Sequence, residues 1–378
     1  MQSGRLDFVD NLRLAMIVLV VVMHAAVTYS GFGAWYYKQP QPLSPWEVLF
    51  FATFQSFLQA FFMGLLFMAA GYFAAMSLER KGAGEFARGR LARLGLPTLA
   101  YALVVHPVTV YWLADIGGLQ ARTGWWEYLG WYMGSLRFVG GTGPMWFALA
   151  LLAFSLVHAA LARPGGAQAR DGGGRVGVAG VAGLVLLASA GAFALRLTWP
   201  IGTSVLNMQF CFFSQYVILY VVGVMAFRRG WLDRLTPGFG RGLVWTALAL
   251  APVLAVFFVL ARGSQAGVEA FRGGFTWQSG FYALWESATG VCMSLGLWAV
   301  FRERFPRKGA LAAWGSANAF AVYMFHTPVL VLVSLAVRGV HWAALPKFLL
   351  VSALGVPASF LAAWALRKLP GVAALTRS

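Results

Sequence analysis

The chain runs to 378 residues, of which 60% are hydrophobic and only 11% charged, whereas a soluble globular domain carries about a quarter charged residues. That composition excludes a water-soluble catalytic domain and points to lipid as the solvent, where each crossing takes roughly 20 apolar helical residues. The formal charge of +17 is what basic cytoplasmic loops produce and is not read as nucleic-acid binding. The two cysteines, Cys211 and Cys292, lie inside apolar runs, so neither a disulfide framework nor a cysteine metal cluster is expected.

The first apolar run begins near Leu12 and continues to Tyr29 without a small-residue cleavage site, so it reads as a membrane span and not as a cleaved leader. Apolar runs bounded by charges, Gly and Pro then predict spans over 12–30, 48–78, 94–115, 144–162, 176–196, 208–227, 243–261, 280–301, 314–336 and 346–366. The expected fold is all-α, a polytopic membrane protein of about ten transmembrane helices forming one integral domain over 1–378. Residues 163–177, rich in Gly, Ala and Arg, read as a flexible cytoplasmic linker. The loop 116–143 carries Trp125, Trp126, Trp131 and Tyr132, the composition of a segment lying at the membrane interface. Of the 29 basic residues, only Lys38, Arg122, Arg137, Arg196, Arg262, Arg272, Arg338 and Lys347 fall on the odd-numbered side of the spans. The excess on the other side makes both termini cytoplasmic.

Ionisable residues inside spans are functional candidates because lipid makes them costly. They are His24, His106, Glu286 and His326, with His158 near the cytoplasmic end of the fourth span. Arg13 and His24 are eleven residues apart, which returns them to nearly one helix face with an axial separation of about 16 Å. On that spacing they serve one cleft, Arg13 at the cytoplasmic mouth and His24 toward mid-membrane. Equally, Arg13 pairs with Asp10 as a topological anchor and His24 packs against a neighbour's carbonyl. Arg88, Arg90 and Arg93 precede the third span. Their guanidinium forks match phosphate geometry, yet such a cluster is also an ordinary topology signal. His106 precedes Pro107, where a structural histidine would satisfy a freed carbonyl. His326 lies one turn from Tyr323, so the two can form a polar site at mid-depth. Glu286 either lines an acceptor pocket or pairs with an outer arginine. No Walker A string, GxSxG elbow or HExxH pair occurs, which removes support for ATP-driven transport, serine hydrolysis and zinc proteolysis by those motifs.

The opening string RLDFVDNLRLAMIVLVVVMHA resembles the first helix of the acyltransferase-3 family of integral membrane O-acyltransferases, with Asp10, Arg13 and His24 at the family's Asp, Arg and His positions. The resemblance continues in FFMGLLFMAAGYFAAMSLERKG, RLARLGLP, GPMWFALALL and FAVYMFHTPVL, nearly the whole chain, and within the family is greatest to the glucan-biosynthesis protein C group. It implies transfer of an acyl group, succinyl or acetyl, from cytoplasmic acyl-CoA to a hydroxyl of an extracytoplasmic glycan or glycolipid, at the bacterial inner membrane. Acyl-CoA is then a co-substrate, with no permanently bound cofactor and no metal. In that scheme His24, Arg13 and His326 are catalytic, Arg13, Arg88, Arg90 and Arg93 bind the CoA phosphates, and Asp10, Tyr323 and Glu286 contact substrate. His24 would act as general base on the acceptor hydroxyl, and a covalent acyl-histidine relay stays open beside direct transfer. The competing reading is a proton-coupled transporter or flippase, which predicts two inverted five-helix halves with broken helices. A sensor or scaffold would instead tolerate substitution of His24 and Arg13.

Overall fold

A computed structural model describes residues 6–39, 41–113, 124–162, 176–261, 267 and 269–376. Among the described residues ten helices are long and apolar enough to cross a bilayer: α1 Asp7–Ser30, α2 Pro45–Lys81, α3 Ala83–Leu113, α4 Gly143–Ala160, α5 Val178–Arg196, α6 Phe210–Arg229, α7 Pro237–Ala261, α8 Trp277–Arg304, α9 Ala310–Ala336 and α10 Ala344–Leu366. Among the described residues there is no strand beyond a single bridge between Val205 and Met208. With ten such helices in alternating direction, the start of α1 and the end of α10 lie at one face, called here the terminal face, and residues 31–39 and 41–44 lie at the opposite face. Most of the expected linker, 163–175, the last two residues of the expected third span, 114–115, and the stretch 116–123 of the aromatic loop lie outside the described residues.

Helices α2 and α8 form the centre and α5, α7 and α10 the rim, since 72% of the most apolar window of α2 and of α8 is buried against 17%, 22% and 28% at the rim. Rim side chains such as Leu187, Trp245 and Leu260 are exposed, as lipid-facing groups must be, because nothing is gained by hiding them from hydrocarbon. Close backbone approach at the centre depends on small residues. A Cβ on Gly223 would lie 1.9 Å from the Met68 carbonyl oxygen, and one on Gly71 would lie 2.1 Å from the Tyr220 carbonyl oxygen. Two reciprocal glycines therefore let α2 and α6 touch backbone to backbone. At its start α2 is fixed by a capping box, in which the Ser44 N–H donates to the Glu47 carboxylate at 2.9 Å and Pro45 fills the first helical position. Glu47 also accepts from the Leu345 N–H at 3.1 Å, tying the start of α10 to that of α2.

Helix α3 is the irregular one. It begins at Ala83, earlier than hydropathy indicates, and contains wide π turns at Leu91–Gly95, Tyr101–Val105 and Thr109–Leu113. Pro97 and Pro107 follow the first two turns. In the π register the N–H of His106 meets the Tyr101 carbonyl, so Pro107, which has no N–H, leaves the Ala102 carbonyl open. The Tyr132 hydroxyl donates to that carbonyl at 2.8 Å. Tyr132 belongs to the short helix Trp125–Gly134, whose exposed Trp126 and Trp131 suit a membrane interface.

Candidate functional site

A cavity of about 380 Å³ opens toward the terminal face between α1, α2, α3, α4 and α9. Its mouth is basic, with Arg13 from α1, Arg80 and Lys81 from the end of α2, and Arg90 and Arg93 from the start of α3. Because α3 is helical from Ala83, Arg90 and Arg93 stand on a rigid element and not in a loop. The Arg90 guanidinium lies over the Phe86 ring at 5.0 Å, which fixes its plane, and Lys81 is paired with Glu85 at 3.0 Å. Further in, the wall is apolar: Ile17, Val20, Met63, Leu66, Phe147 and Leu151. Tyr323 closes the inner end with its ring, while its hydroxyl donates to the Pro144 carbonyl at the start of α4.

One helical turn beyond Val20 and Tyr323 stand His24 and His326, with His24 Nδ1 and His326 Nε2 3.1 Å apart. Their tautomers follow from the partners. His326 is fully buried and its Nδ1 meets two carbonyl oxygens, those of Val322 at 3.1 Å and Tyr323 at 2.9 Å. Carbonyls only accept, so His326 Nδ1 carries a proton. In the neutral ring Nε2 then holds the lone pair, and His24 Nδ1 must donate to it. His24 Nε2 is left as the basic nitrogen. The α9 backbone thus dictates, through His326, which nitrogen of His24 is available, as a second partner commonly does for a functional imidazole.

His24 is partly exposed. Trp35, from the loop between α1 and α2, stacks on its ring at 4.1 Å between centroids and 17° between planes. An aromatic cluster extends from there on the opposite face. Tyr36 and Tyr101 share a hydroxyl contact of 3.3 Å, and Tyr36 packs edge-on to His106 at 5.6 Å. His106 Nδ1 lies 2.9 Å from the Tyr132 hydroxyl. Burial pushes the Tyr36 phenol well above its ordinary range, with Tyr101 beside it, and burial likewise raises Tyr132. Both stay protonated donors at neutral pH. His106 therefore does not take the carbonyl that Pro107 frees, because Tyr132 does.

Arg13, Arg90, Arg93 and Tyr323 line the cavity, and His24 and His326 pair beyond it. Arg88 is exposed and absent from the cavity wall. Asp10 is bonded to Lys308 at 2.6 Å and lies 3.7 Å from Arg13, so it ties the start of α1 to the approach to α9 and holds Arg13 from behind. Glu286 is not at this cavity. It is buried against Arg196 at the end of α5, the outer-arginine pairing that the sequence left open. His158 meets the Tyr220 hydroxyl at 3.2 Å. Sequence reasoning missed Arg80 and Lys81, whose position at the end of a long apolar helix reads as a stop signal, and Trp35, which a loop and no periodicity brings over His24. Among the described residues no group of three His, Cys, Asp or Glu is placed to hold a metal.

The acyltransferase-3 family model, described as an acyltransferase domain, matches residues 6–367. No curated protein and no solved structure matches the chain.

Proposed function

On the premise that the chain belongs to the acyltransferase-3 family of membrane O-acyltransferases, we propose that it takes its acyl group from acyl-CoA bound at the terminal face and delivers it to a hydroxyl presented from the opposite face. The terminal face is then cytoplasmic, in a bacterial inner membrane, in keeping with the excess of Lys and Arg on that side. The observation that carries the reading is the alignment of a basic mouth, an apolar throat and the His326–His24 pair along one path. CoA phosphates and the adenosine end bind Arg13, Arg80, Arg90 and Arg93, where forked donors suit phosphate. The neutral pantetheine arm enters the throat and brings the thioester toward His24.

The acceptor hydroxyl approaches His24 Nε2 from the side of Trp35 and Tyr36. His24 takes its proton as the oxygen attacks the thioester carbon, and the imidazolium formed is held by His326 Nε2 at Nδ1 and by the Trp35 face. Collapse of the tetrahedral intermediate breaks the C–S bond, and the departing thiolate recovers the proton from His24. The products are the ester and free CoA. A glycan or glycolipid acceptor is favoured by the aromatic cluster, since sugar faces pack on flat rings while their hydroxyls reach the half-buried Tyr36. The throat offers no cation to a carboxylate, and an unpaired charge there is costly. That favours acetyl over succinyl as the group transferred.

The test is thiol release from acetyl- and succinyl-CoA by protein in nanodiscs supplied with periplasmic glycans, for wild type, His24→Ala and Arg90→Gln. His24→Ala should keep CoA binding and lose turnover by about 10²–10⁴-fold, the worth of a general base. Full turnover in His24→Ala, or no binding of any CoA thioester by wild type, would refute the assignment.

A further inference from the structure

Helices α5 and α6 are not parallel neighbours along their length. Toward the opposite face they touch: a Cβ on Gly191 would lie 2.2 Å from Ser214 Oγ, and that hydroxyl donates to the Ala188 carbonyl at 3.1 Å. Toward the terminal face they part, and a Cβ on Gly183 or Gly180 would meet nothing within 4 Å. The wedge between them is a groove of about 500 Å³. Leu184 and Leu187 of α5 and Val217, Ile218, Val221 and Met225 of α6 form its apolar walls. Arg229, the last residue of α6, and Trp231, just past the left-handed cap at Gly230, stand at its open end.

Three features identify an occupant. The groove opens on the lipid-facing rim, with Val221 and Leu187 exposed, so its filler comes from the bilayer. From Val217 to Arg229 it runs about 18 Å along α6, close to one leaflet of a bilayer core of about 30 Å. Its single charged group is cationic. Among the described residues Arg229 has no anionic or carbonyl partner, whereas the neighbouring Arg228 is paired with Glu79 at 3.7 Å.

We propose that this groove is a binding site for an anionic phospholipid of the terminal-face leaflet, one acyl chain lying between α5 and α6 and the phosphate accepting from Arg229. Trp231 lies at the depth of the glycerol backbone, where an amphipathic ring is at home. The lipid completes the packing of α5, the helix least held by protein. This site is separate from the basic cavity between α1, α2, α3, α4 and α9, and it stands whether or not the transferase mechanism does.

The test is native mass spectrometry of the full chain in non-ionic detergent, titrated with phosphatidylglycerol or phosphatidylcholine of identical acyl chains. Wild type should retain phosphatidylglycerol about fivefold more strongly, the worth of one arginine at an anionic surface. Arg229→Gln should erase the preference, and Arg304→Gln, an exposed arginine on the same face, should leave it intact. Ile218→Trp, which adds bulk to the wall of the wedge, should lower retention of both lipids. Equal retention of the two lipids by wild type overturns the proposal. So does a preference that survives Arg229→Gln, one lost equally in Arg304→Gln, or retention untouched by Ile218→Trp.

Discussion

Replacing Glu286 by Gln tests whether this carboxylate is structural or belongs to an acceptor site. The side chains of Arg196 and Glu286 are 0% and 3% exposed, so Glu286→Gln leaves a guanidinium in a low-dielectric interior without its anion. Breaking a buried pair in this way costs about 3–5 kcal/mol. The rings of Tyr282 and Phe212 lie 5.1 and 5.6 Å from the guanidinium carbon and offset part of the loss, which sets the expectation near the lower end, about 3 kcal/mol. The pair is also incompletely satisfied, since Arg196 Nε and Nη1 and Glu286 Oε1 have no hydrogen-bond partner among the described residues. Desolvation is therefore poorly offset, and the double change Arg196→Met with Glu286→Leu should return stability to wild type or exceed it by about 1–4 kcal/mol. Denaturant unfolding in micelles, followed by tryptophan fluorescence beside the acyl-transfer assay, reads both effects. A Glu286→Gln protein that unfolds like wild type yet shows a raised KM for the acceptor, or a double variant as unstable as the single one, would refute a structural role for the pair.

Arg93→Gln should weaken CoA binding by tenfold or more, the value of a charge-assisted hydrogen bond of roughly 1.5–3 kcal/mol, as measured by titration calorimetry with desulfo-CoA. Ala148→Phe, which projects a ring into the cavity wall, should block turnover while the protein remains monodisperse in size-exclusion chromatography. A methyl on Gly223 meets the Met68 carbonyl at 1.9 Å, so Gly223→Ala should push α2 and α6 apart and cost about 1–3 kcal/mol by overpacking, seen as a lower unfolding midpoint. Tyr323→Phe leaves the buried Pro144 carbonyl unpaired and should cost about 1–3 kcal/mol, with CoA affinity unchanged because the ring still lines the cavity.

Part of the geometry of the candidate site was legible in the sequence where the signal was local. His24 and Arg13 share a face because eleven residues make nearly three whole turns, and both lie on the cavity path. His326 was singled out as an ionisable side chain inside an apolar run. The spacing left open what His24 meets, and its partner came from α9, 302 residues away. Glu286 shows the limit from the other side. Its position in an apolar helix marked it as costly, yet whether the compensating charge was a substrate or Arg196 depended on where α5 lands against α8. Arg88 and Arg93 look alike as letters and both are exposed, and only the helical phase of α3, shifted by its π turn at Leu91–Gly95, puts Arg93 and not Arg88 on the cavity wall.

The sequence by itself determined the solvent, the ten apolar crossings and the basic bias of one face, because hydrocarbon leaves the backbone no choice but helix and because apolar length is counted residue by residue. Those properties are sums along the chain. Which imidazole nitrogen of His24 is basic, which arginines face the cavity, and what Glu286 pairs with were decided only by tertiary structure. The first and the last depend on helices distant in sequence meeting within hydrogen-bonding range, about 3 Å, and the second on the phase of α3 where it packs against its neighbours.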